Sequence, residues 1–244
     1  MNNFTNKIYD HCNELNIKKG DNVVIHSDIS KFGHYSKTLP IIIINTIYKI
    51  IGKKSNLAMP LYNIGIQNYK KYIPDKFFIK ECNSILSIIF FKNYSPVRSA
   101  SIIHSHLLKG PLEKDFLKKR NYESFGPNSD FDFFKKNNFK LFLLGCDANE
   151  GCTYLHHLEQ ISKVPYRYKK KLTFFLLDKK ININYYARET NCKVNLNLIF
   201  NKKILGTKLK IAKLKFGRSY VISLKDLDKL ARKTLKKNKK ILLR

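Results

Sequence analysis

The stretch that decides the fold begins Asn22-Val23-Val24-Ile25-His26-Ser27-Asp28-Ile29-Ser30-Lys31-Phe32-Gly33. It continues through Leu39-Pro40-Ile41-Ile42-Ile43-Ile44-Asn45-Thr46-Ile47-Tyr48-Lys49-Ile50-Ile51-Gly52 and closes on Asn56-Leu57-Ala58-Met59. Asn22 to His26 is a β-branched run behind the turn residues Lys19-Gly20-Asp21, and reads as a short strand. Ser27 to Lys37 is polar and contains Gly33, hence a loop. Leu39 to Ile51 has helical length and stops at Gly52, and Asn56 to Met59 is a second strand. Strand, loop, helix and strand make a βαβ unit, which requires parallel strands and a right-handed crossover.

Working outward, Thr5 to Leu15 reads as an opening helix with Thr5 as N-cap. The middle, Ile64 to Tyr94, is less legible, because Ser84 to Phe91 is a continuous apolar run that periodicity cannot assign to helix or strand. Asn138 to Leu144 is a buried strand and Thr153 to Val164 a helix. Beyond Pro165 the pattern turns to β at Leu172 to Leu177, Ile181 to Tyr186 and Val194 to Phe200, continued by Leu209 to Leu214 and Tyr220 to Ser223. Ser223 opens a closing helix that runs into a lysine-rich tail. With no internal repeat and no low-complexity linker, one α/β domain over residues 1–244 is the economical reading.

The chain carries 47 Lys and Arg against 18 Asp and Glu, a formal charge of +29. That excess invites a nucleic-acid reading. Yet the lysines are spread along the chain beside abundant Asn and Ile, as an AT-rich genome tends to produce, and no RNA- or DNA-binding motif is recognisable. Nucleic acid is therefore not the expected partner, and a basic surface suits a phosphate-bearing cofactor or substrate equally well. Hydrophobic residues at 43% suffice for a core, and 13% aromatics argue against disorder. Leu39 to Ile51, the best membrane candidate, is too short and is interrupted by Pro40, Asn45 and Lys49. The N-terminus lacks the layout of a signal peptide. Cys12, Cys82, Cys146, Cys152 and Cys192 form no closely paired metal motif and read as reduced thiols of a cytoplasmic protein.

Four segments carry candidate chemistry. In the first, His26-Ser27 ends a strand, and the loop with Ser30, Lys31 and Gly33 offers backbone N–H groups, hydroxyls and a cation to a phosphate. It is no Walker A loop, and alone an ordinary connection is its simpler reading. In the second, Ser95 to His106, Arg98 can pair with phosphate or carboxylate beside Ser99, His104 and Ser105, while His106 reads as structural or exposed. The third, Tyr122 to Asp130, is turn chemistry around Gly126-Pro127-Asn128-Ser129, with Ser129 or Asp130 capping the next helix. The fourth is Leu141 to Glu159, an apolar run that stops at Gly145, a polar turn, and a helix capped by Asn149 or Thr153. There His156 and Glu159, three residues apart, share one helix face, and His157 points elsewhere. Such a pair in isolation is usually a surface contact.

Together, in order and spacing, these segments resemble the aminoglycoside 3-N-acetyltransferase family, the antibiotic N-acetyltransferase group. The resemblance rests on Gly20-Asp21-x-Val23-x-x-His26-Ser27 with Gly33, on Met59-Pro60, and on Arg98-Ser99 followed by His104-Ser105 and Gly110-Pro111. It extends to Phe125-Gly126-x-x-Ser129 and to Leu143-Leu144-Gly145 with Asn149, Thr153, His156, Glu159 and Val164-Pro165 downstream. Gly217-Arg218-Ser219-Tyr220, leading to Lys225-Asp226-Leu227, looks like the family's end, so nearly the whole chain is covered.

The resemblance implies a three-layer α/β/α fold around a mixed β-sheet, unlike the GNAT acetyltransferase fold. It implies acetyl-CoA-dependent transfer to an amine of an aminosugar or aminoglycoside, in antibiotic resistance or in surface-polysaccharide biosynthesis. By position it places the catalytic pair on His156 and Glu159, a second active-site histidine on His104, and acetyl-CoA near His26, Ser27, Ser30, Lys31, Gly33, Arg98 and Ser99. No metal is required, and a homodimer is left open. The chemistry asks for such a set, because an amine attacks a thioester only when unprotonated and the tetrahedral oxyanion needs a donor. Two departures bear on the acceptor: Asn83-Ser84 stands where the family carries a glycine before a helix, and the segment after Pro165 is short and lysine-rich. The competing reading is a catalytically inactive basic binding protein that retains the fold and holds nucleic acid or another anionic polymer.

Overall fold

The computed structural model describes residues 2–33, 36–68, 84–118, 121–176 and 179–244. In chain order the elements are α1 (Asn2–Glu14), β1 (Asn22–Ser27), α2 (Leu39–Ile51), β2 (Leu57–Tyr62), α3 (Ile85–Tyr94), β3 (Val97–Arg98), β4 (His104–Lys109), α4 (Glu113–Lys118) and α5 (Asp130–Lys136). They continue with β5 (Phe139–Leu144), α6 (Ala148–Gly151), α7 (Tyr154–Ile161), β6 (Arg167–Leu176), β7 (Lys179–Arg188), α8 (Lys202–Leu205), β8 (Lys210–Leu214), β9 (Gly217–Ser223) and α9 (Leu224–Lys237).

Seven strands form one sheet in the order β3-β4-β2-β1-β5-β9-β8, and β6 with β7 forms a separate ribbon. β1 is parallel to β2 and β5, as the βαβ pattern requires, and the remaining neighbours pair antiparallel. Side-chain alternation builds the layers. Val23 and Ile25, Leu57, Met59 and Leu61, and Phe142 and Leu144 face a core closed by α1, α2 and α3. Val24, Ala58, Leu108, Leu141, Leu143 and Ile222 face a second core closed by α4, α5, α7 and α9. Helices on both faces of a mixed sheet give the expected three-layer α/β/α arrangement.

The sheet is not closed evenly. β1 pairs with β5 from Asn22 to Ser27 but with β2 only at Val23↔Leu57 and Val24↔Ala58. The two parallel strands therefore part toward their carboxyl ends, and Pro60, which has no N–H, lies in β2 beyond the last β1 partner. A crevice of this kind, at the carboxyl ends of strands and where strand order reverses, is where open α/β sheets bind ligands.

Some expectations are corrected. Val194 to Phe200 is no strand: Val194 makes an isolated bridge to Leu243, and Leu196–Leu198 is a 3-10 turn. Asparagine side chains there compete with ladder pairing, since Asn195 accepts from the Asn197 N–H and Asn149 Oδ1 from the Leu196 N–H. The first helix starts at Asn2, so Thr5 lies within it. The ambiguous apolar run is helix α3, and its N-cap Ser84 accepts from the Ser87 N–H. The ribbon strand β6 begins at Arg167, five residues before the expected apolar run. Cys82, Asn83 and Leu177 lie outside the described residues.

Candidate functional site

The segment after β5 positions the centre of the site. Gly145 holds φ +78°, and a Cβ on it would sit 2.3 Å from the Asp28 carbonyl oxygen, so glycine is what lets the chain turn against the β1 loop. Asp147 then opens the one-turn helix α6 with a capping box: its side chain accepts from the Glu150 N–H while Glu150 accepts from the Asp147 N–H. The cap is thus Asp147, and Asn149 lies inside α6 with its Oδ1 on Leu196. Thr153 precedes α7 without a side-chain cap bond. Leu155 and Leu158 are buried, and His157, also buried, accepts from the Gly126 N–H and pairs with the Ser129 hydroxyl. Ser129 itself caps α5.

The face shared by His156 and Glu159 is where α7 meets the ribbon. His156 Nδ1 lies 2.6 Å from Glu159 Oε2. The same oxygen accepts from Arg167 Nε at 2.8 Å and forms an ion pair with the terminal nitrogen NH2 at 2.6 Å. Arg167 NH1 donates to the Tyr186 carbonyl at 2.9 Å, and NH2 is 2.9 Å from His156 Nδ1. Nδ1 thus faces a carboxylate oxygen, which only accepts, at 2.6 Å and a guanidinium nitrogen, which only donates, at 2.9 Å; with the ring proton on Nδ1 and given to the nearer Glu159 oxygen, the Nε2 lone pair is available. The Glu159 side chain is 0% exposed and Arg167 6%, against 25% for His156. Burial pushes the Glu159 carboxyl up, but His156 and the Arg167 guanidinium together outweigh it and hold it below the usual carboxylate range. Arg167 had no place in the sequence reading. Its signal was a cation directly after Val164-Pro165-Tyr166, at the point where the helix hands over to β6.

A second group lies across the sheet face under α7. Tyr62 on β2 is paired with His104 on β4, and Pro60 with His106, so Tyr62, His104 and His106 share the face that carries Leu108 and, on β1, Val24 and His26. His104 stacks edge-on against Tyr62 at 4.9 Å and tilts against Phe125 at 4.9 Å, and Phe125 reaches the His156 ring at 6.4 Å. Burial, reinforced by the charge of His156, drives the His104 pKa down to about 3, which keeps the ring neutral. Its Nδ1 is buried and has no hydrogen-bond partner among the described residues. His106 is fully buried: Nδ1 lies 3.0 Å from Asp130 Oδ2, which also accepts from the Ser99 hydroxyl at 2.6 Å, and Nε2 faces the Tyr62 hydroxyl at 3.2 Å. Asp130, expected at most as a cap, is therefore a buried hydrogen-bond partner of His106 and Ser99.

The residues assigned to acetyl-CoA are not all together. His26 is buried, with its pKa lowered to about 3 by burial and then by His106, and its ring is 5.9 Å from Tyr62. Ser27 pairs with the Ser84 hydroxyl. The Ser30 hydroxyl donates to Asp28, Lys31 Nζ is 3.5 Å from Asp28, and the Gly33 N–H closes onto the Ser30 carbonyl. A Cβ on Gly33 would meet the Lys215 and Phe216 side chains, so this glycine serves the packing of the loop on the β8–β9 turn. Arg98 ends β3, three strands from β1, a separation of about 14 Å. Its neighbour Ser99 is buried on Asp130 and the His106 N–H.

Cys12, Cys146 and Cys152 are buried and free, and burial followed by Glu150 pushes the Cys146 thiol up to about 12, which leaves it a poor nucleophile. Among the described residues no group of three or more side chains could hold a metal ion, and no helix is long and apolar enough to cross a membrane. A cavity of about 570 Å³ lined by Lys229, Arg232, Lys233 and Lys236 lies at the other end of α7, beside Ser162, and takes in none of the site residues.

The family model described as aminoglycoside 3-N-acetyltransferase matches residues 24–236. Among solved structures, the aminoglycoside acetyltransferase AAC(3)-IVa apoenzyme is similar at a TM-score of 0.79 and 17% identity, over 98% of this chain and 91% of that one. AAC-IIIb in binary complex with CoASH is similar at 0.74 and 13%, over 96% of each chain. YokD from Bacillus subtilis is similar at 0.72 and 18%, over 96% of this chain and 99% of its own. No curated protein matches the chain.

Proposed function

Because the chain belongs to the aminoglycoside 3-N-acetyltransferase family, we propose that it moves an acetyl group from acetyl-CoA to the amine of an aminosugar-type acceptor, with His156 as general base. The observation that carries the base assignment is the contact of His156 Nδ1 with the buried Glu159 carboxylate, which leaves Nε2 of the one partly exposed site imidazole free to take a proton. The acceptor nitrogen attacks the thioester carbonyl, a C–N bond forms, and its proton passes to His156 Nε2. Glu159 stabilises the imidazolium so formed. The tetrahedral oxyanion then collapses, the C–S bond breaks, and the CoA thiolate leaves.

His104 suits the oxyanion. Held neutral by burial, it donates an N–H without competing for the proton, as an electrophilic neutral imidazole does. Its partnerless Nδ1 supports that role. Arg167 is a positioning residue, since it fixes Glu159 and ties the base to the ribbon through Tyr186. Ser27 and Lys31 on the β1 loop, with Arg98 at the β3 edge, are the groups proposed to face acetyl-CoA.

The test is His156→Gln. Turnover is expected to fall about 10²–10⁴-fold, while acetyl-CoA still raises the melting temperature of the variant, because a ligand bound only to the folded state stabilises it. Unchanged turnover would remove His156 from the mechanism. No melting shift of the wild-type protein at millimolar acetyl-CoA would remove acetyl-CoA itself.

A further inference from the structure

The β6–β7 ribbon has two different faces. Its register pairs Arg167 with Arg188, Lys169 with Tyr186 and Lys171 with Asn184, and strand alternation puts these on one face. The opposite face carries Leu172, Phe174, Ile181, Ile183 and Tyr185 into the core. The first face is anchored to the site at two points. Arg167 holds Glu159. Asn184 donates from its backbone N and from Nδ2 to Glu123 Oε1, at 3.2 and 2.8 Å. Glu123 stands two residues before Phe125, whose ring touches His104 and His156. Lys169 lies between the two anchors and Lys171 beside the second, both exposed. At the rise of a strand they sit about 7 and 13 Å beyond Arg167, within reach of a phosphate one sugar ring from a reacting amine.

Four carboxylates of the described residues near this centre are already engaged. Glu159 is closed on Arg167 and His156, Asp130 on His106 and Ser99, Glu123 on Asn184, and Asp28 on Ser30 and Lys31. A polycationic aminoglycoside needs carboxylates to receive its ammonium groups, whereas the strand face that continues from Arg167 carries Lys169 and Lys171 instead. We infer that the acceptor amine belongs to a molecule that also carries an anionic group of the phosphate type, held by Lys169 and Lys171. The inference rests on the N-acetyltransfer reading above and specifies its substrate class.

The experiment compares three acceptors with the wild-type enzyme and acetyl-CoA: glucosamine, glucosamine 6-phosphate and kanamycin. The expected order of kcat/KM is phosphorylated sugar first, neutral sugar second and kanamycin last. In the Lys169→Glu/Lys171→Glu variant, the preference for the phosphorylated over the neutral sugar falls about ten-fold or more. Lys170→Glu, on the opposite face of the same strand, retains the preference. Melting temperatures of both variants establish that they are folded. Kanamycin or glucosamine accepted at least as well as glucosamine 6-phosphate would overturn the proposal alone, as would an unchanged preference in the double variant. No transfer to any of the three amines would overturn the N-acetyltransfer reading and the proposal with it.

Discussion

Replacing Glu159 separates what the buried pair does for stability from what it does for the reaction. Glu159→Ala leaves the Arg167 guanidinium, whose side chain is 6% exposed, without its counter-charge. Breaking a buried ion pair by removing one partner costs about 3–5 kcal/mol. In a domain of this size each kcal/mol corresponds to about 2–4 °C, so the melting temperature should drop by about 6–20 °C. Glu159→Leu combined with Arg167→Met removes both charges and fills their volume, so much of that loss should return. Turnover should not return, because His156 Nδ1 then has no carboxylate to accept its proton or to stabilise the imidazolium. Scanning calorimetry reads the first quantity and release of CoA thiol reads the second. An alanine variant that melts within about 2 °C of wild type would refute the buried-pair reasoning. A double variant that regains turnover along with stability would refute the role given to the carboxylate.

The remaining expectations concern acid and backbone. His11, His26, His104 and His157 are buried neutral, with pKa values lowered to about 4, 3, 3 and 4 chiefly by burial. Their folded values lie below the unfolded value near 6.5, so the unfolded chain binds more protons and stability falls as pH drops below it, by about 1.4 kcal/mol per pH unit for each group. At pH 5 that amounts to about 2 kcal/mol each, together comparable with the whole stability of a domain, so acid unfolding near pH 5 is expected. Melting curves that stay flat from pH 7.5 to 5 would contradict it. Gly145→Ala would force a side chain into a left-handed conformation with its Cβ 2.3 Å from the Asp28 carbonyl oxygen. The expected loss is at least about 4 °C in melting temperature, and an unshifted melt would show that the turn can be remade.

Much of the scaffold was legible because its signals are local. Leu39 to Ile51 is helix α2 at the boundaries read from the sequence, since an apolar stretch of helical length ends against Gly52. The parallel β1–β2 pairing followed from that helix. Val194 to Phe200 was misread because apolar content was counted while Asn195 and Asn197 were not, and their side chains fold the segment into a turn against α6. The His156–Glu159 contact followed from i,i+3 spacing, but its burial and the Arg167 clamp did not, because they depend on β6 returning across α7. His104 and His106 are a gentler case. Their i,i+2 spacing in a strand already implies one face, yet only the β2–β4 register brings Tyr62 between them and only α5 brings Asp130 beneath.

The net charge of +29 also divides once its placement is known. Inside the site the carboxylates are held locally: Glu159 faces Arg167, and Asp130 is held by the Ser99 hydroxyl and His106. Distant lysines add little there, because at physiological ionic strength exposed charges are screened beyond about 8 Å. Most of the lysine excess can therefore drift with composition at small consequence for proton transfer. Lys169 and Lys171 differ because they share a strand face with Arg167, so their charge falls within a screening length or two of the reacting group. A composition read as a whole cannot separate these two populations, whereas strand register does, and it makes the basicity of this chain a question about one face of one ribbon.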